Sequence, residues 1–323
     1  MAKFSLVLFL AIVTLSVCCS VFGSPAVEGP RIGSDRFLDV GEGTQGLKIV
    51  APEDMKLQPK SEQSILIIYN HGSISDDLPE MHCNFLNRLI SFRTLLQVPI
   101  EGARVWIYVK CTNNIAGDLE NPEERDFPES YLCVLEKRKT CFAKKYKEYK
   151  RREEILRTVL EFQAQGFSAK RIFLMGHSCG GWQSMILASQ YPELIAGAIA
   201  IDPGCYGTTK WQATRPNYSR LRRIEIQLMR QASNWDGLVF TNADSPCCNP
   251  ATLDWLANMP RITRLVTPAK VRGRFIVEGK VCNIADINGR KIRHIANGHQ
   301  LSYSPCFSSY IPKIQEFIQK RIK

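Results

Sequence analysis

With 323 residues, the chain is long enough for one large domain or two small ones, and its 45% hydrophobic content allows a substantial buried core. The formal net charge of +11 favours anionic surfaces as partners. Nucleic-acid binding is not expected, because the basic residues show no aromatic interleaving and match no nucleic-acid motif. The densest basic run, residues 137–152, alternates with glutamates and is typical of a solvated helix face.

Residues 1–23 have the pattern of a secretory signal peptide. Lys3 supplies a basic start, an apolar run extends over residues 4–19, and residues 21–23 precede the expected cleavage point. The apolar run is shorter than the roughly 18 residues that a spanning helix needs, although an uncleaved anchor stays an alternative. We therefore expect residues 24–323 to form one secreted or periplasmic domain with no transmembrane segment and a charge of 41 − 31 = +10.

Apolar runs and helical periodicity alternate along the chain. The first strong strand covers residues 64–69 and is apolar throughout, as in a strand that is buried on both faces. The other predicted strands are residues 103–109, 171–175, 194–201, 238–241 and 274–278, with edge strands in 36–50 and a hairpin of 281–287 and 290–295 around Asn288-Gly289. The predicted helices are residues 84–96, 148–165, 182–190, 219–231, 250–259 and 310–322.

This alternation predicts an α/β fold with a doubly wound, mostly parallel sheet and helices on both faces. Such sheets carry their functional sites at the carboxyl ends of the strands. The polar and basic segment 208–233 interrupts the alternation, and we interpret it as a possible lid insertion.

The most informative motif is Gly176-His177-Ser178-Cys179-Gly180, which lies between a predicted strand and a predicted helix. A G-x-S-x-G motif in this context indicates a nucleophile elbow, with Ser178 on a strained turn and its hydroxyl exposed. Glycines on either side avoid collisions with the neighbouring backbone.

A serine nucleophile needs a histidine base and a carboxylate that orients the histidine. If the chain order is nucleophile, acid, base, the base is His299 or His294, and we favour His299 because it follows a glycine in a loop. The favoured acid is Asp244, which follows a short strand, and Asp202 is the alternative because it follows the preceding strand directly.

The oxyanion of an acyl-transfer intermediate requires two preorganised donors. We expect one to be the backbone N–H of Cys179, directly after the nucleophile. The second is expected from the loop after the first strong strand, where Gly72 permits close approach and Ser73 offers its N–H.

Twelve cysteines, ten of them after the signal peptide, indicate disulfide bonds in an oxidising compartment. Their spacing matches no zinc finger, so no metal site is predicted. We expect Cys179 to stay reduced on the buried elbow, and adjacent Cys247 and Cys248 not to pair with each other. One of these two is expected to reach Cys205. The other expected pairs are Cys83 with Cys111, Cys133 with Cys141, and Cys282 with Cys306.

The segment Asn70-His71-Gly72-Ser73, the elbow motif, Asp244 and Gly298-His299 together resemble the α/β-hydrolase superfamily, and its secreted esterase and dienelactone-hydrolase-like members in particular. The resemblance spans about residues 64–322. It implies a Ser–Asp–His triad, no cofactor, and hydrolysis of small-molecule or polymer esters or related acyl bonds. A serine peptidase or amidase, and a non-catalytic binding protein with a basic surface, are the alternatives.

Overall fold

The computed structural model describes residues 36–40, 47–50, 63–72, 89–111, 147–206, 216–232, 234–285 and 292–323. Residues 32–323 cluster as one compact unit. The predicted signal peptide lies outside the described residues, so its cleavage stays a prediction.

An eight-stranded sheet forms the centre of this unit, in the order β2-β1-β4-β3-β5-β6-β7-β8. All neighbours from β4 to β8 pair in parallel, whereas β1 runs antiparallel to both β2 and β4. The strands are β1 Arg36–Val40, β2 Leu47–Val50, β3 Ser64–Asn70, β4 Arg104–Lys110, β5 Ile172–His177, β6 Gly197–Ile201, β7 Gly237–Asn242 and β8 Ile262–Thr267. The predicted doubly wound, mostly parallel sheet is thus confirmed.

Helices cover both faces of the sheet. The α-helices are α1 Arg93–Gln97, α2 Lys147–Ala164, α3 Cys179–Gln190, α4 Pro216–Gln231 and α5 Ile311–Ile322. Short 3₁₀ helices cover Ile90–Phe92, Ala169–Arg171, Pro250–Asn258, Gly298–Tyr303 and Pro305–Tyr310. Among the helices of the described segments, none has the length and apolar character that a membrane crossing requires.

Strand β3 shows how the two cores form, because its side chains alternate between the faces. Leu66 and Ile68 join a core that contains Trp182 of α3. Ile65 and Ile67 join a second core that contains Ile314 of α5. A continuous apolar run is therefore required here, since both faces are covered.

Two small antiparallel ribbons precede the last helices. Strands β9 Ile276–Val277 and β10 Lys280–Val281 form the first, and β11 Asn283–Ala285 and β12 Ile292–His294 form the second. The second ribbon confirms the predicted hairpin pairing, while its turn lies outside the described residues. The predicted strand over 274–278 is thus a short ribbon strand, and the edge strand β8 was not predicted.

The predicted lid region contains α4, whereas residues 207–215 and 233 lie outside the described residues. Glu225 of α4 is buried and accepts hydrogen bonds from Trp182 of α3 and from Tyr206. Arg152 of α2 forms an ion pair with the same carboxylate. These contacts attach α4 to the body of the protein, and a lid function for the segment stays a prediction.

Candidate active site

Ser178 stands at the sharp turn between β5 and α3. Its backbone has φ +56° and ψ −127°, a conformation that a non-glycine residue rarely adopts. Strain of this kind is concentrated at functional sites. The hydroxyl of Ser178 donates to the carbonyl oxygen of Gly204 at 3.3 Å. The predicted strand, turn and helix are therefore present, and they place the half-buried serine at the carboxyl end of a central strand.

The glycines of the motif are required by close backbone approach. A Cβ atom at Gly180 would collide with the carbonyl oxygens of Asn70 and His71, at the end of β3. A Cβ at Gly176 would collide with Gly180 and lie 2.7 Å from the carbonyl oxygen of Asn70. Because these neighbours are backbone atoms at the start of α3 and at the end of β3, they cannot move aside for a larger residue.

His299 lies in the 3₁₀ helix Gly298–Tyr303 and contacts a carboxylate from the neighbouring part of the sheet. Its Nδ1 is 2.6 Å from Oδ2 of Asp202, which directly follows β6. Ser245 donates its hydroxyl to the same Oδ2 at 2.7 Å. Asp202 is buried and has φ +47°. With Nδ1 donating to Asp202, the other ring nitrogen is left to accept a proton.

The predicted pairing of His299 with Asp244 is corrected by this geometry. The Asp244 carboxylate instead accepts the backbone N–H of Lys270 at 2.6 Å, in the segment after β8. Its carbonyl oxygen accepts from the N–H of Gly298 at 3.3 Å, so it supports the loop that carries His299 through the backbone. The reason lies in the packing of the loop that carries His299, which places Nδ1 against the carboxylate after β6 and not against the one after β7.

The alternative base, His294, lies in β12 and is exposed. Its Nδ1 is 3.0 Å from Oδ1 of Asn283 on the paired strand. The structure therefore brings His299, not His294, to a buried carboxylate.

His177, which the sequence did not single out for a role, contacts His299 directly. Its Nε2 donates to the carbonyl oxygen of His299 at 2.7 Å, and the two rings have centroids 4.3 Å apart. The hydroxyl of Tyr303 lies 2.8 Å from Nδ1 of His177. The contacts from Tyr303 to His177 and from His177 to His299 thus fix the position of the His299 backbone. The only sequence signal for His177 was its adjacency to Ser178.

The loop after β3 lies against Ser178, as the oxyanion-hole prediction requires. A Cβ atom at Gly72 would be 3.1 Å from Cβ of Ser178. Buried Arg151 of α2 donates to the carbonyl oxygens of His71 and Gly72. Burial lowers the pKa of the Arg151 guanidinium, and the charge of Glu148 opposes this effect. Ser73 lies outside the described residues, so its part in an oxyanion hole stays a prediction, as does that of Cys179.

Two disulfide bonds lie beside Ser178 and His299, and both correct the predicted pairing. Cys179 is bonded to Cys205, with Cα atoms 3.9 Å apart, and is therefore not a free thiol. This pair forms because the N–H of Gly204 donates to the carbonyl oxygen of Ser178, which aligns the segment after β6 with the elbow. Cys247 and Cys248 are bonded to each other.

The remaining described cysteines are also oxidised. Cys282 is bonded to Cys306, as predicted, and Cys111 is disulfide-bonded. Cys83, Cys133 and Cys141 lie outside the described residues, so the predicted pairs that include them stay predictions.

The Cys247–Cys248 disulfide connects the surroundings of Ser178 and His299. The sulfur of Cys247 lies 3.6 Å from Nδ1 of His299, and that of Cys248 lies 4.0 Å from it. A Cβ atom at Gly204 would collide with the Cys248 sulfur. Gly204, whose carbonyl oxygen accepts the hydrogen bond from the Ser178 hydroxyl, thus packs against the disulfide that contacts His299. One region, at the carboxyl ends of β5 and β6 and in the loops beside them, therefore contains Ser178, Asp202 and His299.

Residues 151–275 match the model of the hydrolase family described as serine aminopeptidase, S33. The matched segment includes the elbow and Asp202 and ends before His299. No curated protein matches the sequence.

Similar solved structures include esterases and a peptidase. An acetyl xylan esterase from Paenibacillus sp. R4 is 14% identical, with a TM-score of 0.40, and the match covers 65% of this chain and 69% of that one. An esterase domain of a Rhodothermus marinus protein is 13% identical, with a TM-score of 0.44 and coverage of 82% and 91%. A puromycin-hydrolyzing peptidase of Mycobacterium tuberculosis is 14% identical, with a TM-score of 0.38 and coverage of 65%, and this chain spans only 31% of its length.

Proposed function

We propose that this chain, which has the α/β-hydrolase fold, is a serine hydrolase of carboxylic esters or related acyl bonds. Ser178 is the nucleophile, His299 the base and Asp202 the acid. The observation that carries the proposal is the buried Asp202 carboxylate 2.6 Å from Nδ1 of His299, in the same region as a serine in an elbow conformation. The match of residues 151–275 to a hydrolase family supports the reaction class.

The residues suggest the following order of events. His299 accepts the Ser178 proton as the hydroxyl attacks the acyl carbon, and Asp202 stabilises the resulting imidazolium. The oxyanion is stabilised by the N–H of Cys179 at the start of α3 and by a second donor from the loop after Gly72. His299 then protonates the leaving group, and water hydrolyses the acyl-enzyme with the same base.

A fluorophosphonate probe tests the reaction class without knowledge of the substrate. Wild-type protein is expected to be labelled at Ser178, and Ser178→Ala is expected to remain unlabelled. Equal labelling of the two proteins would refute the assignment of the nucleophile. Absence of labelling in a folded wild-type protein would instead favour a non-catalytic binding protein.

The acyl bond is the next question, because the matched family is described as a serine aminopeptidase. We propose esters as the substrates and keep peptide bonds as the second candidate. Activity is measured on esters from acetyl to long acyl chains, on polymer esters, and on amino-acid arylamides. The chromogenic leaving groups of the esters and the arylamides are chosen to absorb equally. A kcat/KM at least about tenfold higher on arylamides than on every ester would favour the peptidase.

We also propose that the protein is secreted or periplasmic. The seven cysteines of the described segments are all disulfide-bonded, which suits an oxidising compartment. Expression of the full chain with its first 23 residues, followed by N-terminal sequencing of the exported protein, is expected to give Ser24 as the first residue. Retention of Met1 on a membrane-bound protein would favour the uncleaved anchor.

A further inference from the structure

Four side chains at the candidate active site present metal-binding atoms to one another. They are Asp202, Cys247, Cys248 and His299, and one ligand atom from each lies within 4.8 Å of the other three. We refer to these four residues as the sulfur–imidazole cluster. Asp202 and Cys248 are buried, whereas Cys247 and His299 are partly exposed. Nothing in the proposed hydrolysis uses the two sulfurs.

The separations between the two sulfurs and the His299 imidazole suit a tetrahedral zinc ion. Zinc–sulfur bonds of about 2.3 Å and zinc–nitrogen bonds of about 2.0 Å place sulfur and nitrogen about 3.5 Å apart in a tetrahedron. The Cys247 sulfur is 3.6 Å from Nδ1 of His299, and the Cys248 sulfur is 4.0 Å from it. Two thiolates, an imidazole and a carboxylate are all ligands that zinc accepts.

A second observation concerns the carboxylate. Asp202 is buried, and its Oδ1 has no hydrogen-bond partner among the described residues, while Oδ2 is shared by His299 and Ser245. An unpartnered buried carboxylate oxygen is costly, and binding a cation relieves this cost. One oxygen of Asp202 is therefore available to a metal even while the other accepts from Ser245.

We propose that reduction of the Cys247–Cys248 disulfide converts the cluster into an inhibitory zinc site. A dithiol reduces the disulfide to two thiols and is itself oxidised to a cyclic disulfide. Zinc then binds as the two thiols release their protons, with His299 and Asp202 as the further ligands. Cys247 is partly exposed, whereas Cys248 is buried, so the dithiol attacks at Cys247.

Zinc binding blocks the hydrolysis because it takes both partners of the proposed acid–base pair. Nδ1 of His299 coordinates the metal instead of donating to Asp202, so the ring proton moves to Nε2 and this nitrogen can no longer accept the Ser178 proton. This inhibitory effect rests on the proposed function, whereas the binding of zinc does not.

The decisive experiment avoids reductant, since the other disulfides must stay intact. Glu148, Cys179 and Cys205 form a second group of possible ligands, and full reduction would release those thiols as well. In Cys248→Ser no vicinal disulfide can form, so Cys247 remains a thiol beside His299 and Asp202. The double variant Cys247→Ser/Cys248→Ser is the matched control that lacks this thiol.

Cobalt(II) and zinc are the probes. Cys248→Ser is expected to show a thiolate-to-cobalt charge-transfer band and to bind zinc at least about tenfold more tightly than the double variant, by equilibrium dialysis. His299→Ala in the Cys248→Ser background is expected to weaken zinc binding. Equal zinc affinity of Cys248→Ser and the double variant, with no cobalt–thiolate band, would overturn the proposal.

Activity is measured separately, so that the two proposals fail in different ways. If the chain is a serine hydrolase, zinc inhibits Cys248→Ser at concentrations at least about tenfold lower than it inhibits the double variant, and a chelator restores activity. Zinc binding without any hydrolase activity in any variant would refute the proposed function and leave the metal site standing. Hydrolysis by Cys248→Ser that persists at saturating bound zinc would refute the inhibitory role.

Discussion

Nδ1 of His299 and Oδ2 of Asp202 are 2.6 Å apart, although the two residues are separated by 97 positions in the chain. Asp202 directly follows β6, and its positive φ turns the chain immediately after the strand. The hydroxyl of Ser245 fixes the orientation of the carboxylate by donating to the same oxygen. This arrangement selects the histidine tautomer that has its proton on Nδ1, which is the tautomer that a base acting through Nε2 requires.

The first prediction separates the two candidate acids. Asp202→Asn is expected to lower kcat by about 10⁴-fold, because the amide stabilises the wrong histidine tautomer. Asp244→Asn is expected to lower kcat by less than about tenfold, since the Asp244 carboxylate contacts the Lys270 backbone instead of His299. Steady-state kinetics on an ester found in the substrate panel give both values. A larger loss in Asp244→Asn than in Asp202→Asn would restore the acid that was first predicted from the sequence.

The second prediction concerns the nucleophile. Ser178→Ala is expected to lower turnover by several orders of magnitude, as removal of a triad serine does in other enzymes. The hydroxyl makes only a 3.3 Å hydrogen bond to Gly204, so the thermal unfolding temperature is expected to stay close to that of the wild type. Retention of more than a tenth of the activity in a folded Ser178→Ala protein would show that the elbow is not catalytic.

Local patterns predicted much of this structure. The apolar run of β3 and the periodicity of the helices between the strands can be recognised from residues that are close together in the sequence. These local patterns were sufficient to predict the mostly parallel sheet. The G-x-S-x-G motif likewise placed Ser178 between β5 and α3 from local sequence. Strand β8 was missed because it is an edge strand with partly exposed side chains and therefore lacks a continuous apolar run.

Long-range geometry explains the errors at the site. Asp202 and Asp244 both follow strands, and only the packing of the loop that carries His299 decides between them. Cys179 and Cys205 are 26 residues apart, and the hydrogen bond from Gly204 to the Ser178 carbonyl oxygen that aligns them has no sequence signature. The contact of His177 with the backbone of His299 spans 122 positions and is equally invisible in a single sequence.

The third prediction tests His177 and Tyr303 as positioning residues. Tyr303→Phe removes the hydroxyl that contacts Nδ1 of His177 and is expected to lower kcat by about fivefold, the effect of one hydrogen bond worth about 1 kcal/mol. His177→Ala is expected to lower kcat further, and His177→Gln, which keeps an N–H donor for the His299 carbonyl oxygen, is expected to recover part of the loss. KM should change little. A change confined to thermal stability, with kcat unaffected in all three variants, would contradict a positioning role.

A buried charge network attaches α4 to the rest of the fold. The Glu225 carboxylate pairs with Arg152 of α2 and accepts the indole N–H of Trp182 at 2.6 Å. Arg152 also donates to Gln183, which follows Trp182 in α3. Both charged side chains are almost completely buried, so each depends in part on the other for compensation of its lost hydration.

The fourth prediction follows from this dependence. Glu225→Ala removes the Glu225 carboxylate from the buried Arg152 guanidinium, and it is expected to lower the free energy of unfolding by about 3–5 kcal/mol. Glu225→Gln keeps an acceptor for Trp182 and isolates the effect of the charge. The matched control is Glu153→Ala, because Glu153 and Arg157 of α2 form a half-exposed pair whose loss is expected to cost no more than about 0.5 kcal/mol. Urea denaturation under non-reducing conditions measures all three variants. If Glu225→Ala destabilises the protein no more than Glu153→Ala does, the Arg152–Glu225 pair does not hold α4 in place.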